Sequence, residues 1–121
     1  MAAISQFNNQ DWFECHETLE ELWSGETGEK RELYQGILQI AVALHHWKSR
    51  NFGGAMSLFT SGMNHLGRVR PLSQLVDVTR LIADACRMQM ELGNLGEERM
   101  TEIEPGLIPR LHIVQPGVPG R

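Results

Sequence analysis

Apolar residues recur along almost the whole chain at the three- and four-residue intervals that give a helix one buried stripe. A first helix is predicted from Asn8 or Asn9, either of which suits an N-cap, to about Trp23, where SGETG stops it. A second, roughly Glu29 to Ser49, carries LYQGILQIAVALHHW and is apolar on most sides, the pattern of a helix central to its bundle. RNFGG then permits a reversal, since Gly53 and Gly54 are free to take positive φ. The third helix, about Gly54 to Arg70, aligns Ala55, Phe59, Gly62 and Leu66, whose small members allow a neighbouring helix to come close. Pro71 ends it and Ser73 is the expected N-cap of the fourth, about Ser73 to Leu92. In that helix Leu75, Val78, Ile82 and Ala85 face one way, and Asp77, Arg80, Asp84, Arg87 and Glu91 the other. Arg80 with Asp84 and Arg87 with Glu91 are then i,i+4 pairs that explain those charges without any function.

A helical turn is expected around Glu97 to Ile103, after which proline and glycine exclude regular helix. The predicted architecture is all-α: a compact bundle of four main helices, a single helical domain over residues 1–104, and a Pro/Gly-rich tail over 105–121. In that tail LIPRLHIV packs along the bundle as an extended strap and QPGVPGR frays. No internal repeat is visible.

Composition narrows the classes of function. The 121 residues are one domain's worth, and 41% hydrophobic with 21% charged residues is ordinary for a soluble globular protein. Net charge is -4, and residues 1–32 hold eight acidic side chains against Lys30 and Arg31, which disfavours nucleic acid as a partner. Lys48, Arg50, Arg68, Arg70, Arg80 and Arg87 make the middle mildly basic but are dispersed. Cys15 and Cys86 lack a CxxC spacing and read as reduced, buried thiols. Without a signal-peptide pattern or a membrane-length apolar run, a cytoplasmic protein with no membrane partner is expected.

The candidate chemistry lies in WFECHETLEELW, Trp12 to Trp23. On a wheel at about 100° per residue, with His16 at zero, Trp12, Trp23, Leu19, Phe13 and Glu20 all fall within about 60° of it. His16 and Glu20 are therefore expected in the middle of the apolar face, Glu17 on its border, and Asp11, Glu14, Thr18 and Glu21 on the solvated side. An unpaired buried carboxylate is costly, so Glu20 needs a partner, and His16 one turn away can supply it. On the second helix Glu32, Gln35, Gln39, His46 and Arg50 form a comparable polar line, which is either that helix's one solvated edge or the wall facing helix one. In the latter case His16, Glu17, Glu20, Gln35, Gln39 and His46 make a shared polar cluster. It could hold a divalent metal through His16, Glu20 and His46, or position a general acid and base. His45, His65 and His112 fall outside the cluster, and Met88, Met90 and Met100 read as core filling.

The named catalytic patterns are a poor match. HETLE approximates the HExxH zinc-protease signature but has Glu20 where the second histidine belongs, and the paired Glu-x-x-His motifs of di-iron bundles, GxSxG, Walker and Rossmann glycine patterns are absent.

FNNQDWFECHETLEELW followed by YQGILQIAVALHHWKSRNFGGA resembles domain-of-unknown-function family 309, whose members look like FN-x-G-x-aromatic-x-E-x-HE-x-LE-x-x-W, then QG-(L/I)-I-Q-x-A, a histidine and N-x-x-GA. The matching residues are Phe7, Asn8, Glu14, His16, Glu17, Leu19, Glu20 and Trp23, then Gln35, Gly36, Gln39, Ala41, His46, Asn51, Gly54 and Ala55. Gln10 departs from the pattern, which has glycine there. The resemblance covers about residues 7–66 and implies a small all-helical bundle of bacteria, archaea and plastids. The family has no assigned activity, so it bears on where a site lies and not on its chemistry.

Two functional hypotheses follow. In one, the cluster is a metal or small-ligand site, enzymatic or not. In the other, the chain is a non-catalytic helical interaction module and the cluster a structural hydrogen-bond network. The partner is an unknown small molecule or protein, and a homodimer is one way to satisfy the apolar sides of helix two.

Overall fold

The computed structural model describes residues 2–114. The fold is all-α: α1 (Ala2–Asn8), α2 (Trp12–Ser24), α3 (Gly28–Lys48), α4 (Phe52–Leu66) and α5 (Val78–Leu95), with short 3-10 turns at Glu97–Glu102 and Pro105–Leu107. The expected four main helices are α2 to α5. The N-terminal α1 is an addition: Ala3 and Phe7, one turn apart, are both buried. Asn8 and Asn9 end α1 instead of capping α2, whose N-cap position is held by Asp11 without a side-chain bond. Between the two helices Gln10 has φ 65, the left-handed region that glycine enters without strain. That is the position at which the family pattern carries glycine.

The central helix is α3, with Leu33, Tyr34, Gly36, Ile37, Leu38, Ile40, Ala41, Ala43 and Leu44 buried between its neighbours. Its closest approach is to α4. A Cβ on Gly36 would stand 2.6 Å from Cγ of Leu66, and one on Gly62 would stand 3.0 Å from the carbonyl oxygen of Gly36. The expected stripe of Ala55, Phe59, Gly62 and Leu66 is buried throughout, because two glycines facing each other let the helix backbones meet.

The fourth predicted helix begins later than Ser73. Leu72–Ser73 and Val76–Asp77 pair as a small antiparallel hairpin, β1 and β2, and Asp77 is the N-cap of α5, its Oδ1 accepting from the Arg80 N–H at 3.0 Å. The hairpin turns through Gln74 and Leu75, at φ 49 and 68, the left-handed pair that a tight two-residue hairpin demands. Leu75, expected on the buried stripe, is 44% exposed. The α5 core is Val78, Leu81, Ala85, Met88 and Leu92. Met88 and Met100 fill the core, whereas Met90 is exposed. Arg87 pairs with Asp84 at 3.3 Å instead of with Glu91, and Arg80 reaches Asp84 at 3.7 Å as expected.

The strap is extended where described. Asn8 brackets Leu111, donating to its carbonyl at 3.0 Å and accepting from its N–H at 2.7 Å. Ile113 bridges Val76 in antiparallel fashion, with Asp77 N–H donating to the His112 carbonyl and Val114 N–H to the Leu75 carbonyl. The expected frayed tail lies outside the described residues. No helix among the described residues is long and apolar enough to cross a membrane.

Candidate functional site

The α2 helix buries Trp12, Cys15 and Leu19. The centre of that triad lies roughly 70° from His16 at 100° per residue, and this displaces the expected site. Cys15 supplies the buried edge, while Phe13, which lies on the other side of His16, is 54% exposed. His16 thus falls on the border at 32% exposure and Glu20 in solvent at 59%, so no buried carboxylate needs compensation. The predicted pair does form: His16 Nε2 stands 3.1 Å from Glu20 Oε2. Glu17 is exposed, like Glu14 and Glu21. Together Phe13, His16, Glu17, Glu20, Glu21 and Trp23 line an open hollow of about 420 Å³ on the outside of the bundle.

His16 also borders a second, apolar hollow of about 120 Å³ with Trp12, Phe13, Val42 and His45. The α3 histidine that approaches α2 is therefore His45, which was read outside the cluster. The Phe13 ring is 6.3 Å from the His16 ring and 6.0 Å from that of His45. At the far end of α2 the Arg31 guanidinium sits 4.5 Å over the Trp23 ring, a cation–π contact between α2 and the start of α3.

The polar line of α3 does not join His16 and Glu20 in one pocket. Its ends are taken by α4 and the turns on either side of it. Glu32 accepts from Nδ1 of His65 at 3.2 Å and from Nη1 of Arg68 at 3.1 Å. Burial alone would raise the Glu32 carboxyl, but the hydrogen bonds from His65 and Arg68 outweigh it and hold the group below the usual carboxylate value. One turn earlier Glu29 accepts from the Arg70 backbone N–H at 2.7 Å and meets its guanidinium at 3.2 Å.

His46 is committed elsewhere: the Asn51 amide donates to its Nδ1 at 3.2 Å. Asn51 in turn caps α4 by accepting from the Gly54 N–H at 3.0 Å, and a Cβ on Gly54 would lie 2.6 Å from the Asn51 side chain. The family's histidine and N-x-x-GA residues thus form a helix cap. Gln35 and Gln39 remain half-buried on α3, with Oε1 of Gln39 buried and unpaired. The structure thus does not bring His16, Glu20 and His46 together, and among the described residues no group of three or more His, Cys, Asp or Glu side chains is arranged to hold a metal ion. Cys15 donates its thiol to the Ala3 carbonyl at 3.3 Å, and burial pushes its pKa up to about 12, which leaves it a protonated, inert thiol at neutral pH.

Sequence reasoning missed His65 and His45, both placed outside the cluster. The only local signal for His65 was its i,i+3 spacing to Arg68, which on the predicted third helix puts both on one face; that Glu32 meets them depends on the helix crossing.

With this geometry in view, residues 1–58 match the family model described as Domain of unknown function (DUF309). This segment of the chain is similar to that family. The DUF309 segment comprises α1, α2, α3 and the first half of α4, and it ends before Gly62 and His65. It is 43% identical over 58 residues to the uncharacterized protein YpuF of Bacillus subtilis (strain 168), a stretch of 47% of this chain and 33% of the relative. The match thus spans about a third of that protein's length. No solved structure matches the chain.

Proposed function

We propose that the chain is a non-catalytic helical interaction module whose acidic α2 face docks a basic segment of a partner protein. One observation carries this reading: Phe13, 54% exposed, stands among Glu14, Glu17, Glu20 and Glu21, and among the described residues none of those carboxylates has a lysine or arginine partner. An aromatic ring ringed by unneutralised carboxylates attracts a guanidinium or ammonium group by Coulomb force and by the ring face together. In this reading the pairs Glu32–His65, Glu32–Arg68 and His46–Asn51 are the structural network that holds α3 and α4 in place beneath the docking face. The protein is read as cytoplasmic, in keeping with the free thiols of Cys15 and Cys86.

The test is the anisotropy of a fluorescent oligoarginine peptide containing one leucine. Phe13→Ala and the double variant Glu17→Lys/Glu21→Lys should each weaken its binding by about tenfold or more. Charge reversal at Glu97 and Glu98, on the 3-10 turn, should leave it unchanged, as should the thermal midpoints of all variants. Equal binding by wild type and Phe13→Ala would reject the α2 face as the docking surface.

A further inference from the structure

The arginines that look dispersed in the sequence converge at the opposite end of the chain. On α5, Arg80, Asp84 and Arg87 lie at i, i+4 and i+7, on one helical face. The strap runs past that face, and its alternation sorts its side chains: Leu111 is 3% exposed and buried inward, so Arg110 and His112 turn to the other side. Arg80, Asp84, Arg87, Gly106, Arg110 and His112 line a hollow of about 160 Å³ between α5 and the strap.

Charge and geometry there favour an anion. Three guanidinium groups against the one carboxylate of Asp84 leave a surplus of two positive charges around the hollow. Asp84 touches Nε of Arg80 at 3.7 Å and Nη1 of Arg87 at 3.3 Å, one nitrogen of each, so it holds both side chains while most of their N–H groups make no bond among the described residues. Arg110 donates one Nη1 bond, to the Asn8 carbonyl at 3.2 Å, and is fixed by it. The strap itself is held at Leu111, between Arg110 and His112, by the Asn8 bracket, and at His112 by the ladder bond from the Asp77 N–H to its carbonyl. The donors are therefore set before any ligand arrives.

We propose that this hollow between α5 and the strap binds the phosphoryl dianion of a small molecule. Guanidinium forks match phosphate oxygens in shape and charge. A volume of about 160 Å³ is well under the roughly 300 Å³ at which drug-sized sites begin, so it admits a phosphoryl group and not a whole nucleotide. The site is independent of the α2 face, uses none of its residues, and lies outside the DUF309 segment.

The experiment is a titration of the full chain with inorganic phosphate and, in parallel, glycerol phosphate, at constant ionic strength set with chloride, read by the arginine Nε–H and Gly106 amide resonances. Saturable shifts at Gly106 and these arginines are expected. Tighter binding of glycerol phosphate would identify a phosphomonoester as the ligand, and equal binding free phosphate. Arg80→Gln and Arg87→Gln should each weaken binding by about tenfold, and Lys30→Gln should not. Since Arg110→Gln also loses its bond to Asn8, the two α5 variants, whose thermal midpoints should stay at the wild-type value, decide the matter. Wild-type affinity in both, or shifts that chloride reproduces, would overturn the proposal. So would arginine-dependent binding of a single-stranded oligonucleotide that phosphate fails to compete.

Discussion

The α3–α4 seam and the outer face of α2 both draw on the family's motif residues, and they use them in opposite ways. In the seam four of those residues have a structural task. Gly36 brings the helices together, His46 and Asn51 cap α4, and Gly54 leaves room for that cap. On α2 Trp12 and Leu19 are buried, while Glu14, Glu17 and Glu20 lie in water with no task in packing. Polar residues that a fold does not need for its own stability are the ones free to meet something else, and this contrast is why the functional reading rests on α2.

The largest effect should come from the seam. Gly62→Val puts a branched side chain where even a Cβ would stand 2.8 Å from Ile40 Cδ1 and 3.0 Å from a backbone oxygen. Overpacking of this kind destabilises by about 2–3 kcal/mol, whereas Gly53→Ala, in open space near the start of α4, should be stabilising by roughly 0.5–1 kcal/mol. Urea unfolding of the two variants measures the difference. If Gly62→Val unfolds like wild type, the close crossing is wrong.

A smaller loss is expected for Glu32→Gln, about 0.5–1 kcal/mol at neutral pH, since the carboxylate is partly exposed and its bonds are screened. The sign follows from its depressed pKa: the folded state favours the ionised form, so the unfolded chain binds the proton more readily. The contribution is complete above the ordinary glutamate pKa and disappears as pH falls through the lower folded value. The gap between wild type and variant should therefore close below about pH 4. A gap that persists unchanged into acid would mean that the Glu32 charge is not what stabilises the seam.

The smallest effect belongs to Glu20→Gln. Its i,i+4 contact with His16 is exposed, and such pairs contribute about 0.3–0.5 kcal/mol at most. A loss of several kcal/mol in thermal or urea unfolding would show Glu20 to be structural after all and erase the contrast between the two regions.

How much was legible beforehand differs between fold and site. The four main helices follow from three- and four-residue spacing, and the Ala55, Phe59, Gly62 and Leu66 stripe from the same rule. The hairpin at residues 72–77 escaped notice because Leu75, Val78 and Ile82 continue the helical spacing through it. Only the left-handed turn at Gln74 and Leu75 breaks the helix, and neither residue type announces such a turn. The inward direction of α2 was misplaced by one choice on its wheel. Counting Phe13 as apolar and buried and leaving Cys15 aside moved the inward direction onto His16, although Phe13 is exposed and Cys15 is 0% exposed.

Local spacing settled that His16 and Glu20 pair, that α3 is central and that glycines would mark the helix crossing, since each depends on residues within a turn or two of one another. Which way α2 rolls, which helix receives Glu32, and whether Arg80, Arg87 and Arg110 stand together depend on contacts between segments remote in the chain. Those are decided by how the buried stripes pack, a property of the whole bundle that no single stretch encodes.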